Sequence, residues 1–130
     1  MATVVVDGGL AIVTNRITGA GTEPLYIGWG TGAGTAGVTD STLFTEALVS
    51  LAAGTSDHTT GTSSRVTSST TNDSYRVTGT RTATGAGTVT NAGLWDAASA
   101  GNLFLKGDFT GIGLASGDSI AFTITATFAN

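Results

Sequence analysis

Apolar and polar residues alternate most cleanly at the end of the chain. In "SIAFTITATFAN", Ile120, Phe122, Ile124, Ala126 and Phe128 share one parity, and Ala121, Thr123, Thr125 and Thr127 share the other. That period of two turns one face of a strand inward and the other to water. "SYRVTGTRTAT" has the same form, with Tyr75 and Val77 inward against Arg76, Thr78 and Thr80, and "SRVTSST" is its neighbour across the turn Asn72-Asp73. "LYIGW" places Tyr26 and Gly28 on one face and Leu25, Ile27 and Trp29 on the other. "VTNAGLWDA" and "LFLKGDF" add two strands, the second with Leu103, Leu105 and Phe109 on one face, and Gly117-Asp118 turns the chain into its last strand.

The first half mixes signals. "TVVV" at Thr3–Val6 is a short β-prone run closed by the turn residues Asp7-Gly8-Gly9. Leu10, Val13 and Ile17 keep helical spacing, so a short helix is predicted there, ended by Gly19 and Gly21. In "DSTLFTEALVSLAA", Asp40 or Ser41 offers an N-cap and Leu43, Ala47 and Leu48 follow at helix spacing. One or two helical turns are predicted there, with Val49 or Leu51 the alternative start of a strand. Residues 54–64 are polar and glycine-broken, and read as a loop. Strands spaced by turn signals, with connections too short for helical crossovers, predict an all-β fold. The expectation is one domain over residues 1–130: an antiparallel β-sandwich, jelly-roll-like, with one or two short helical turns near the N-terminal half.

Composition narrows the chemistry. Charged residues are 11%, against about 25% in an average domain. The net charge is −4 and the five bases, Arg16, Arg65, Arg76, Arg81 and Lys106, are scattered, so no nucleic-acid footprint is expected. No apolar run approaches the roughly 20 residues of a membrane-spanning helix, and no membrane partner is expected. "MATVVVDGG" lacks the charged and long apolar regions of a signal peptide, which points to synthesis in a cytoplasm.

"TGAGT" occurs at Thr18–Thr22, Thr31–Thr35 and Thr84–Thr88. The run Gly32–Gly37 fits a dinucleotide fingerprint in letters, but such a site needs a helix directly after it, and Val38 and Thr39 intervene. The copies therefore read as turns. His58 is the only histidine and there is no cysteine, so no His/Cys metal cluster is available. The position of His58 in a polar loop predicts a solvated ring. No nucleophile elbow accompanies it. The nine carboxylates, Asp7, Glu23, Asp40, Glu46, Asp57, Asp73, Asp96, Asp108 and Asp118, fall mostly in turns, where Asp caps its own backbone. Asn72-Asp73-Ser74 is a formal N-glycosylation acceptor. Trp29 and Trp95 read as core or interface residues, with a sugar-stacking platform as the alternative. No catalytic residue, cofactor or metal site is expected, and the chain does not read as an enzyme.

"YIGWGTGAGTAGVTDSTLFTEA", followed by "GTVTNAGLWDAASAGNLFLKGDF" and "GDSIAFTITATF", resembles a recurring pattern in small virion structural proteins of tailed bacteriophages. The likeness runs from about Leu25 to Phe128, with gaps at residues 54–73, and Trp95 stands where phenylalanine is usual in the pattern. It maps onto scaffold positions, Gly28, Gly30, Thr31, Gly93, Leu94, Trp95 and Asp96, rather than onto a site. The resemblance implies a β-sandwich that decorates the exterior of a phage capsid as a cement protein, bound to the major capsid protein as a homotrimer. A tail or tail-fibre component is the alternative, and a carbohydrate-binding module a further one. Oligomerisation also covers sheet edges that few charges protect. Residues 1–9 are a candidate arm in which Val4, Val5 and Val6 contact a partner by adding a strand to its sheet. The same valines equally form an ordinary first strand of the chain's own sheet.

Overall fold

A computed structural model describes residues 3–55 and 57–129. Its elements are β1 (Thr3–Val5), α1 (Asp7–Ile17), β2 (Tyr26–Gly30), β3 (Glu46–Ala47), β4 (Thr59–Thr60), β5 (Thr62–Val66), β6 (Ser74–Thr82), β7 (Gly87–Trp95), β8 (Leu103–Leu114) and β9 (Ser119–Thr127). All pairings are antiparallel. The first sheet runs β1-β8-β7-β2-β3, with β4 also on β2, and the second runs β5-β6-β9. The described residues form an all-β sandwich with one helix.

Between the sheets lie Ile27, Leu94, Leu105, Val77 and Ala126, and towards the other end Trp29, Val89, Ala92 and Ala83. Parity in β2 and β7 explains the choice. Ile27 and Trp29, and Ala92 and Leu94, point inward, while Gly28, Gly30, Asn91, Gly93 and Trp95 point out of the sandwich. That outer face is not left to water. The segment between β2 and β4 lies across it, and Leu43, Trp95, Leu103 and Val6 form a second core there. Glycine is what lets the segment lie close. A Cβ on Gly30 would strike the Phe44 carbonyl, and one on Gly34 would come within 2.6 Å of the Phe44 ring.

The predicted face of β8 needs correction. Leu103 and Leu105 do not share a side, because the β7–β8 register jumps from Leu94↔Leu105 to Trp95↔Leu103 and leaves Phe104 as an extra residue. Such a bulge resets the alternation. Leu103 joins the outer core and Leu105 the inner one, and all four residues Leu103–Lys106 are buried.

The helix exists but begins earlier than expected. Asp7-Gly8-Gly9 is its first turn rather than a separate turn. Two glycines disfavour a helix start intrinsically, yet here they permit contact: a Cβ on Gly9 would collide with the Phe104 carbonyl. Gly19, at φ 81°, turns the chain out of the helix as expected. The helix expected from Asp40 is absent. Thr45 and Leu51 sit at φ 45° and 62°, which no helix tolerates, and the segment makes turns and β3 instead. The loop expected over residues 54–64 contains β4 and the start of β5. β9 alternates as predicted, except that it ends at Thr127 and Phe128 is exposed rather than inward.

Candidate functional site

Several charged side chains point into the protein, among them His58, for which a solvated ring was predicted. His58 is buried. Its Nδ1 lies 2.8 Å from the Ala97 carbonyl and its Nε2 lies 2.6 Å from Glu46 Oε1. A carbonyl only accepts, so Nδ1 carries a hydrogen. The ring stacks on Trp95 with centroids 4.9 Å apart. Lys106 donates to Asp40 Oδ2 at 3.0 Å and to the Thr42 carbonyl at 2.8 Å, and its ammonium stands over the Phe44 ring. Asp40 also accepts from the Gly37 amide, and that hydrogen bond, with Lys106, holds its carboxyl below the usual carboxylate range. Asn91 brackets Phe44, accepting from its N–H and donating to its carbonyl. Asp108 accepts from the Ala36 amide at 2.7 Å.

Arg81 ties the same segment from the inner side. It donates to the Asp57 carbonyl and to Asp57 Oδ1, to Thr59 Oγ1 and to the Ala47 carbonyl, and its guanidinium lies 4.8 Å from the Trp29 ring. Burial pulls its pKa below the ordinary arginine value, and the hydrogen bond and charge of Asp57 oppose that shift. Every one of these groups fastens the β2–β4 segment to the sandwich. Buried charges require such pairing. They are therefore held as scaffold, by one another and by backbone groups of the segment.

What the surface offers is apolar. A groove of about 410 Å³ lies beside α1, lined by Ile12, Val13, Ile17, Tyr75, Phe104 and Phe128, with Arg16 and Glu23 at its margin. Of these lining residues Ile17 is 81% and Phe128 52% exposed. The Tyr75 hydroxyl donates to the Pro24 carbonyl at 3.1 Å. Burial, and then the Glu23 carboxylate, push the Tyr75 phenol above its ordinary pKa, so it stays neutral and a donor. Exposed apolar side chains gathered around a groove mark a candidate interaction site.

The residues singled out in the sequence are placed as follows. Val4 and Val5 pair with Lys106 and Leu105 in the chain's own sheet, and Val6 is fully buried, its amide bonded to the Phe104 carbonyl. The arm reading needed them free of this fold. Trp29 and Trp95 are 0% and 4% exposed, so neither is a sugar platform. Trp29 donates to the Leu48 carbonyl at 3.0 Å. The Asn72-Asp73-Ser74 stretch forms the β5–β6 turn, where the Asp73 carboxylate accepts from the amides of Ser68, Ser69 and Thr70. Of the three "TGAGT" copies, the first leads out of α1; the second is no turn but continues β2 past Phe44, with the Thr31 and Gly32 amides donating to the Thr45 and Phe44 carbonyls; and the third spans the β6–β7 connection and enters β7. Among the described residues no three His, Asp or Glu side chains converge as metal ligands, and no helix is long and apolar enough to cross a membrane.

The sequence reading missed Arg81, Lys106 and Asn91 as interior groups. A signal existed for Arg81, which shares the parity of Tyr75 and Val77 in β6. For Lys106 it was the uninterrupted apolar run "LFL" ahead of it, typical of a strand covered on both faces. Comparison of the chain with protein-family models, with curated proteins and with solved structures gives no match.

Proposed function

We propose that the protein is a non-enzymatic docking module of a tailed-phage virion, a capsid decoration protein that seats on the outer surface of the head and braces adjoining copies of the major capsid protein. The observation that carries this reading is the division of labour among the side chains. The interior charges hold the β2–β4 segment to the sandwich, while the exposed features include an apolar groove and the outer face of α1. That arrangement supports a protein partner better than a small polar substrate. The resemblance over Leu25–Phe128 supplies the setting. The buried tryptophans remove the basis for a carbohydrate module.

The test is co-sedimentation of the purified chain with head particles that lack it. The chain is expected to pellet with heads, and Ile17→Asp and Phe128→Asp to release it without lowering its own melting temperature. Both positions are exposed, so the variants leave the core untouched. Failure of the unaltered chain to bind heads, with binding to tails instead, transfers the function to tail structure.

A further inference from the structure

The second sheet ends on β9: no strand among the described residues pairs with its outer side, and Ser119, Ala121, Thr123 and Thr127 are exposed. The direction of its free backbone groups follows from two hydrogen bonds that bracket the strand. The Phe128 amide donates to the Asp73 carbonyl, and the Ala83 amide donates to the Asp118 carbonyl. The β6–β9 register is unbroken between them, from Ser74↔Thr127 to Thr82↔Ser119. Even-numbered residues of β9 therefore bond to β6, and Ser119, Ala121, Thr123, Thr125 and Thr127 aim their N–H and C=O groups outward.

Natural edges of this length are blunted by charges, proline or a bulge. β9 has none of the three: residues 119–129 contain no charged side chain and no proline, and the strand is regular. Beneath it, between β9 and the β1–β8 edge, runs a groove of about 350 Å³ lined by Leu105, Phe109, Phe122 and Ile124.

We propose that this edge binds a second copy of the chain, β9 against β9, antiparallel about a two-fold axis through Thr123. The full-length register sets Thr123 opposite Thr123, Ala121 opposite Thr125 of the second copy, and Ser119 opposite Thr127. These outward pairs are small, neutral and largely β-branched, the combination that pairs well across strands. On the inner face Phe122 meets Ile124 of the second copy and closes the groove. The sequence is thus complementary to itself, with no like charges brought together, which a two-fold contact requires and a partner of different sequence does not. The two three-stranded sheets join into one that continues through both copies. An edge of nine residues is about 30 Å long, and the contact is small by the standards of permanent dimers, so association is reversible.

Sedimentation equilibrium up to about 0.5 mM chain, where even a weak contact of 0.1 mM dissociation constant is mostly formed, is expected to give a monomer–dimer equilibrium. Thr123→Lys, which sets two ammonium groups face to face on the axis, is expected to leave monomer throughout. Thr80→Lys, on the same exposed face but in β6, is expected to keep the dimer. Amide exchange at Ala121, Thr123 and Thr125 should slow as concentration rises. A chain monomeric at all concentrations overturns the proposal, as does the trimer implied by the family resemblance, which needs two different surfaces to meet. A dimer that survives in Thr123→Lys also overturns it. Protection of these amides only on head particles assigns the edge to a strand of another protein, and overturns pairing between copies. The outcome is independent of whether the chain binds heads at all.

Discussion

Replacing Arg81 with alanine tests whether buried charge holds the outer segment in place. The side chain is 1% exposed and donates to four acceptors of the segment and its flanks: the Asp57 carbonyl and carboxylate, Thr59 Oγ1 and the Ala47 carbonyl. Asp57 itself is 35% exposed, so water recovers part of the loss at its carboxylate. The Ala47 carbonyl is buried and does not recover. Leaving buried acceptors unpaired costs about 1–3 kcal/mol each, and loss of the cation over Trp29 adds about 1–2 kcal/mol. The expected destabilisation is about 3–5 kcal/mol, the range for breaking a buried pair from one side. For a domain of this size that corresponds to a fall in melting temperature of roughly 10–20 °C. Urea unfolding followed by tryptophan fluorescence reads it directly, because Trp29 lies under the guanidinium. Arg81→Lys retains the charge without the planar fork and should recover less than half of the loss. A change below about 1 kcal/mol for Arg81→Ala, the level of an exposed ion pair, refutes the claim that the tie is structural.

Three other perturbations follow from the geometry. Asp73 has its pKa depressed by the amides of Thr70, Ser68 and Ser69. Its contribution is therefore complete above the unfolded value near pH 4 and is lost as pH falls through the depressed folded value; Asp73→Asn should flatten the acid limb of melting temperature against pH, and an unchanged limb contradicts the assignment. Thr45 is β-branched at φ 45°, a conformation that costs about 1–3 kcal/mol; Thr45→Gly should be neutral or stabilising by up to about 1 kcal/mol after the entropy cost of glycine, and a clear destabilisation in urea titration contradicts it. Trp29 and Trp95 are buried, so emission should be blue-shifted and unmoved by oligosaccharides; a red-shifted band that responds to glycans restores the carbohydrate reading.

How much was legible in the sequence depended on whether a residue's partner was near in the chain. β6 and β9 were legible because alternation is a local property and both strands have one wet face. α1 was legible in spacing, but its start was not, since Gly8 and Gly9 look like a turn until the Phe104 carbonyl is seen against them. The outer layer was hidden. Its residues are polar and glycine-rich, as in a mobile loop, and it is held by groups far away in sequence: Lys106 to Asp40, Asn91 to Phe44, Arg81 to Asp57. His58 was misplaced for this reason, because its partners Glu46 and Ala97 come from either side of β5 and β6. The bulge at Phe104 was likewise invisible, since an extra residue leaves no mark in a uniformly apolar run. The apolar groove beside α1 required Phe128 to leave its strand, which alternation alone did not indicate.

The proposed function sets the chain on the outside of a phage head. Antibody–gold labelling of intact virions from the source tests it most directly. Gold is expected over the head surface of untreated particles. Gold confined to tails or fibres contradicts the decoration reading, and particles that carry no label at all contradict the virion reading itself.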